Sequence, residues 1–165
     1  MLPMKRPRLL AVQALLPFSL DMTFIDGQRL MLDLSADVQR FPGLQPLLDA
    51  GAFECAALGD DGWSVEWPEL DIQIGADTLY LDALAQSAVD ENTRIFIDWR
   101  ARTGLPLHKA AEALGVSTRS ISRYSRGREA VPRSLALACL GWDSLQREAG
   151  MVAEQKGRYT VTRKP

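Results

Sequence analysis

The sequence predicts an α+β chain: a small, mostly antiparallel sheet with short helices, followed by an all-α unit. Three observations carry this. Apolar and polar residues alternate through much of the first half, the period of half-buried strands. From about residue 94 the apolar spacing changes to i, i+3, i+4, i+7, the period of an amphipathic helix. Charge divides near the same place: residues 1–89 hold 5 basic and 13 acidic side chains, a net of −8, and residues 90–165 hold 14 and 8, a net of +6. The expected organisation is a sheet domain over 1–86, a polar junction over 87–93, a helical domain over 94–145 and a basic tail over 146–165.

In the first half, Leu10, Val12, Ala14 and Leu16 suggest a strand. Leu20, Met22 and Phe24 alternate with Asp21 and Thr23, and Asp26-Gly27 is a strong hairpin turn. The return strand carries Leu30, Leu32 and Leu34, which makes a three-stranded meander. Pro46 to Ala50 reads as a helical turn and Phe53 to Leu58 as a further strand. Asp60-Asp61-Gly62 is a turn that leads to Trp63, Val65 and Trp67 on one strand face. Large aromatics mostly fill cores, so the two tryptophans are read as core rather than as the lining of a ligand pocket. Leu70, Ile72 and Ile74 alternate again, and Asp77 to Ala88 is a helix.

In the second half, Asp90 or Asn92 caps a helix that holds Ile95, Phe96 and Trp99 and ends near Gly104. Leu107, Ala110, Ala111 and Leu114 form one stripe of a two-turn helix, which Gly115 ends. Ser117 is an N-cap for the next helix, whose inward stripe is Val116, Ile121 and Tyr124. Thr118, Arg119, Ser122 and Arg123 share its outward face, and Gly127 closes the element. After Pro132, Leu135, Ala138, Cys139 and Trp142 can pack back on the motif. Two short helices joined by a tight turn, the second bearing arginines on its unpacked face, read as a helix-turn-helix. Arg119, Arg123, Arg126, Arg128 and Arg133 are opposed only by Glu129 in this stretch, so the acidic overall balance does not count against a polyanion partner.

Residues 94–142 resemble the lambda-repressor/Cro type of helix-turn-helix domain. The resemblance rests on Gly104-Leu105, the Ala-Ala-x-x-Leu-Gly-Val-Ser core from Ala110 to Ser117, Ile121, and the Arg123-Tyr124-x-x-Gly127 exit. It implies that the helix over 117–125 enters a DNA major groove, with Thr118, Arg119, Ser122 and Arg123 facing bases. Ser117, Lys109, Arg126 and Arg128 would then contact phosphates. It also implies double-stranded DNA as partner and a homodimer, because one recognition helix reads only a half-site. One departure stands out: the family often has Ser-Gln where this chain has Pro106-Leu107. That glutamine commonly braces a phosphate, so one anchor is missing and His108 or Lys109 would have to replace it.

Residues 8–85 resemble a small bacterial module of unknown function. The matching features are the hairpin-bearing start, Asp33-Leu34-Ser35, Leu47-Leu48-Asp49, and Val65-Glu66-Trp67-Pro68 before Leu70-Asp71-Ile72. Members of that group are encoded beside small toxin-like proteins, which implies an antitoxin-like role and a small protein partner for the acidic half.

Other function classes find little support. No Asp/Glu/His cluster has ligand spacing, and the single histidine, His108, reads as a surface residue. There is no Gly-rich phosphate loop and no Gly-x-Ser-x-Gly nucleophile turn, so no enzyme activity, metal or cofactor is expected. Cys55 and Cys139 have no partner spacing and read as buried residues of a reduced, cytoplasmic protein. Leu9 to Leu16 is too short to span a membrane. The tail reads as a frayed basic extension with a terminal strand at Arg158 to Thr162. The expected function is a sequence-specific DNA-binding transcriptional regulator. The alternative, favoured by Pro106-Leu107, is a protein-interaction module whose helix-turn-helix does not bind DNA.

Overall fold

Alternation of apolar and polar residues produces an antiparallel meander of β1 (Leu9–Leu15), β2 (Ser19–Phe24) and β3 (Arg29–Asp33). This computed structural model describes residues 4–159, with side chains through residue 150, and divides into two units between Ala88 and Val89. In the meander Leu20 pairs with Leu32 and Met22 with Leu30. Leu20, Met22, Phe24 and Leu32 are all fully buried, as a period of two requires when one face is covered. On the other face Arg29 is hydrogen-bonded to Asp21.

β1 departs from expectation. Its pairing with β2 slips between Leu9 and Ala11, and the strand ends at Leu15. A slip of one residue exchanges the two faces. Leu9 is therefore buried, Leu10 is 64% exposed, and Leu16 lies outside the strand on the surface. Of the predicted stripe only Val12 and Ala14 turn partly inward.

The segment after β3 is more helical than its sequence suggests. Asp33 Oδ1 accepts from Ser35 N at 2.8 Å and from its hydroxyl at 2.5 Å, and α1 (Ser35–Arg40) follows. These bonds hold the Asp33 carboxyl below its ordinary pKa. A 3₁₀ stretch over Pro42–Leu48 leads to α2 (Ala50–Phe53), which replaces the start of the strand expected over 53–58. Only β4 (Ala57–Leu58) remains of that strand. The reason is Phe53, which is fully buried beside Trp67 and whose carbonyl accepts from Trp67 Nε1 at 3.0 Å.

β4 pairs with β5 (Ser64–Trp67), and β5 with β6 (Ile72–Gly75), so two three-stranded antiparallel sheets stand where one was expected. Leu70 lies in a 3₁₀ turn rather than in β6. Trp63 precedes β5, is 49% exposed and sits under the Arg8 guanidinium, so it does not share a face with Trp67. Cys55 is exposed just past the end of α2, whereas it was expected inside. α3 (Ala76–Ser87) buries Leu79, Ala83 and Leu84. Near its end the Gln86 amide donates to Asp33 O at 2.7 Å and accepts from Asp33 N at 2.9 Å. A side chain thereby satisfies the last residue of a sheet edge.

The second unit contains α4 (Glu91–Thr103), α5 (Leu107–Leu114), α6 (Thr118–Tyr124) and α7 (Arg133–Tyr159). Of the two expected caps Asp90 serves: its carboxylate accepts from Thr93 N at 2.9 Å and from the Thr93 hydroxyl at 2.5 Å. Thr93 Oγ1 also accepts from Val131 N at 3.0 Å, which pins the segment before α7 to the start of α4. Phe96, Ile97, Trp99, Ala110, Ile121, Ala136 and Cys139 form the core, and Trp99 meets Trp142 edge to face. Burial pushes the Cys139 thiol up to about 12. Arg102 clasps Asp143 at 2.8 Å between α4 and α7. Because α7 runs on to Tyr159, helix replaces the expected frayed extension and the first two residues of the expected terminal strand. Residues 160–162 of that strand lie outside the described residues. Among the described residues no helix is long and apolar enough to cross a membrane.

Gly62 has φ of +79°, and a Cβ there would lie 1.9 Å from Leu9 O. Gly62→Ala should cost more than about 2 kcal/mol in urea unfolding. Gly43→Ala, at a site where a Cβ meets nothing within 4 Å, is the control and should stay near wild type. The Thr93 hydrogen bonds hold the Asp90 carboxyl below its ordinary pKa. That contribution is fully present above the unfolded value of about 3.9 and is lost as pH falls through the depressed folded value. Asp90→Asn should therefore keep the cap at pH 7 and flatten the acid limb of the unfolding curve. An unchanged limb would contradict the assignment.

Candidate nucleic-acid interface

The joint between α5 and α6 is three residues long. Gly115 takes φ of +68°, a left-handed conformation that glycine adopts without a Cβ penalty. Its N–H and that of Val116 both donate to Ala111 O, which closes the last turn of α5. Ser117 then caps α6, its Oγ accepting from Ser120 N at 3.1 Å. Ala110 and Ala111 are buried on the inner side of α5, where small side chains permit a close crossing.

α6 is held by its inner side. Ile121 is fully buried, and Tyr124 is half-buried with its ring edge to face against Phe96 at 6.3 Å. That leaves Thr118, Arg119 and Arg123 exposed, with Ser122 half-buried beside them. Arg119 forms no ion pair among the described residues. Arg123 is differently placed. It lies over the Tyr124 ring, donates to its hydroxyl at 3.0 Å, and has Nε 3.3 Å from a Glu129 carboxylate oxygen. The Tyr124 hydroxyl first, then Glu129, raise its pKa further. Water screens an exposed pair of this kind, so a competing anion can displace Glu129.

The flanking residues are less uniform. Leu107 belongs to the predicted inward stripe but is 39% exposed, because it opens α5 directly after Pro106 and has no preceding turn to pack beneath. His108 and Lys109 are exposed, and Lys109 lies 3.6 Å from Glu112. Ser117, expected to touch phosphate, spends its hydroxyl on the cap and on Ser120 Oγ at 2.9 Å. Arg126 and Arg128 are exposed in the turn after α6.

Arg100, near the end of α4, is a residue that sequence reasoning missed. Its Nη1 donates to Leu105 O at 2.5 Å and its Nε to Ser125 Oγ at 3.2 Å. The Ser125 hydroxyl in turn donates to Ile121 O at 2.6 Å. One half-buried guanidinium thus ties the segment entering α5 to the end of α6. Burial lowers its pKa, yet an arginine stays charged. The sequence signal was slight: a charged residue four positions after Phe96, on the inner side of its helix.

Residues 9–84 match the family model described as protein of unknown function (DUF2442). No curated protein matches the chain. A crystal structure described as "Putative DNA Binding Protein NE0471 from Nitrosomonas europaea ATCC 19718" is 37% identical, covering 87% of this chain and 90% of that one, with a TM-score of 0.58. The chain belongs to the family of NE0471. That likeness spans more than the DUF2442 match, so it includes helices of the second unit.

The cap gives a direct check on the geometry of α6. Ser117→Ala should cost about 1 kcal/mol in unfolding free energy and Ser117→Gly only a few tenths. Equal losses for the two variants would contradict capping by the side chain.

Proposed function

We propose that the chain is a sequence-specific DNA-binding transcriptional regulator of the cytoplasm. In this reading α5 and α6 form a helix-turn-helix of the lambda-repressor type, and α6 reads the major groove. The observation that carries it is the outer side of α6, where Thr118, Arg119 and Arg123 stand exposed on a helix fixed from within by Ile121 and Tyr124. The N-terminal residues of such a helix reach base edges, and arginine pairs with two acceptors on guanine. Arg126 and Arg128, just beyond the helix, supply charge for phosphates, and Arg100 adds a positive charge with no carboxylate partner among the described residues. The description of NE0471 agrees with the reading. A homodimer on an approximate palindrome would supply the second half-site. The role is binding, not catalysis.

A second reading is favoured by the start of α5. Pro106 offers no N–H there, and the exposed Leu107 offers an apolar contact where a phosphate-bracing side chain would be needed. The unit would then be a protein-interaction module, and an antitoxin-like chain could combine both activities, with the acidic half engaging a small basic protein.

Selection from random duplex DNA at near-physiological salt separates the two readings. A single enriched motif is expected. Binding that is only salt-labile, with no motif, would point to the interaction module. On the enriched site, Arg119→Ala should cost about 1–3 kcal/mol and relax discrimination at one base position. Arg126→Ala should weaken all sequences alike and reduce the salt slope by about 0.9. Wild-type affinity and slope in both variants would mean that the reading face is misassigned.

A further inference from the structure

The outward side of α7 carries Leu137, Leu140, Gly141 and Ser144, with Arg133 and Glu148 at the two ends, and all six are exposed. These positions follow the spacing of one helical stripe. Leu137 is 49% and Leu140 46% exposed, while the opposite side of the same turns buries Leu135, Ala136 and Cys139. Every residue from Ser144 to Gly150 is exposed as well. Helical turns as exposed as those of Ser144 to Gly150 are marginal in water without tertiary packing. Leu137 and Leu140, exposed on the outer side of the packed turns just before them, extend the same uncovered face as an interaction surface.

We propose that this stripe is a homodimer surface on which α7 packs antiparallel against α7 of a second copy, about a twofold axis between Leu140 and Gly141. An isologous interface must be complementary to itself. In this register Leu140 lies over Gly141 of the second copy and Leu137 faces its Ser144, so each large residue meets a small one. A Cβ built on Gly141 meets nothing within 4 Å, which leaves that position open to an incoming leucine. The same register sets Arg133 against Glu148 at both ends. Neither residue is in an ion pair among the described residues, and Arg133 has only a neutral hydrogen bond to Asn92 Oδ1 at 3.2 Å. A parallel arrangement would oppose Arg133 to Arg133 and Glu148 to Glu148. Charge complementarity therefore selects the antiparallel pair. The inference rests on α7 alone and stands whether or not α6 binds DNA.

Sedimentation equilibrium of the full chain without DNA tests it. The wild type should show a reversible monomer–dimer equilibrium. Leu137→Glu combined with Leu140→Glu should weaken association at least tenfold with unchanged helical circular dichroism. Arg133→Glu and Glu148→Arg should each weaken it several-fold, and the double reversal should restore it to near wild type. The reversals lie on exposed residues, so they probe the register without entering the core. A wild type that stays monomeric at all concentrations would overturn the proposal. So would single reversals without effect, or a double reversal no better than the singles. Affinity for a single half-site duplex, measured in parallel, reports separately on the DNA reading.

Discussion

The three-residue joint from Gly115 to Ser117 is the constraint on which the candidate interface depends. With so short a connection, the direction of α6 is set by two local facts: Gly115 in a left-handed conformation and Ser117 as the cap of the next helix. Ile121 then fixes the rotation of α6 about its own axis by entering the core. Once axis and rotation are fixed, the outward placement of Arg119 and Arg123 follows from the helical period alone. Arg100 reinforces the arrangement from behind, since its two hydrogen bonds reach Leu105, two residues before α5, and Ser125, the residue after α6.

Much of this was legible in the sequence because local signals agreed with the tertiary outcome. Gly115, Ser117, Asp90 and the stripe through Ala110, Ala111 and Leu114 each act within a few residues, and the structure uses each as expected. The hairpin of β2 and β3 was legible for the same reason. What was not legible depends on long-range packing. The slip in β1 is a property of a pair of strands, so alternation along one strand misplaced Leu10 and Leu16. Phe53 is helical because its ring and carbonyl both serve Trp67, fourteen residues on. Trp63 and Trp67 are an even spacing apart, yet only Trp67 lies within β5.

The site itself divides in the same way. Which residues face outward on α6 was readable, because a helix of known phase fixes its faces. How those residues are engaged was not. Arg123 sits on Tyr124 and beside Glu129, a contact made by the return of the chain after the helix. Ser117 and Lys109 already have partners of their own. Arg119 thus becomes the exposed cation of α6 least committed within the unit. Arg123 must first exchange an intramolecular carboxylate for any new anion.

Hydrogen exchange of the full chain with and without a mixed-sequence DNA duplex at low salt tests the central claim most directly. Protection on binding should concentrate between residues 105 and 128, with amides of β1, β2 and β3 unchanged. Protection confined to the first unit, or none in α5 and α6 despite binding, would contradict the account.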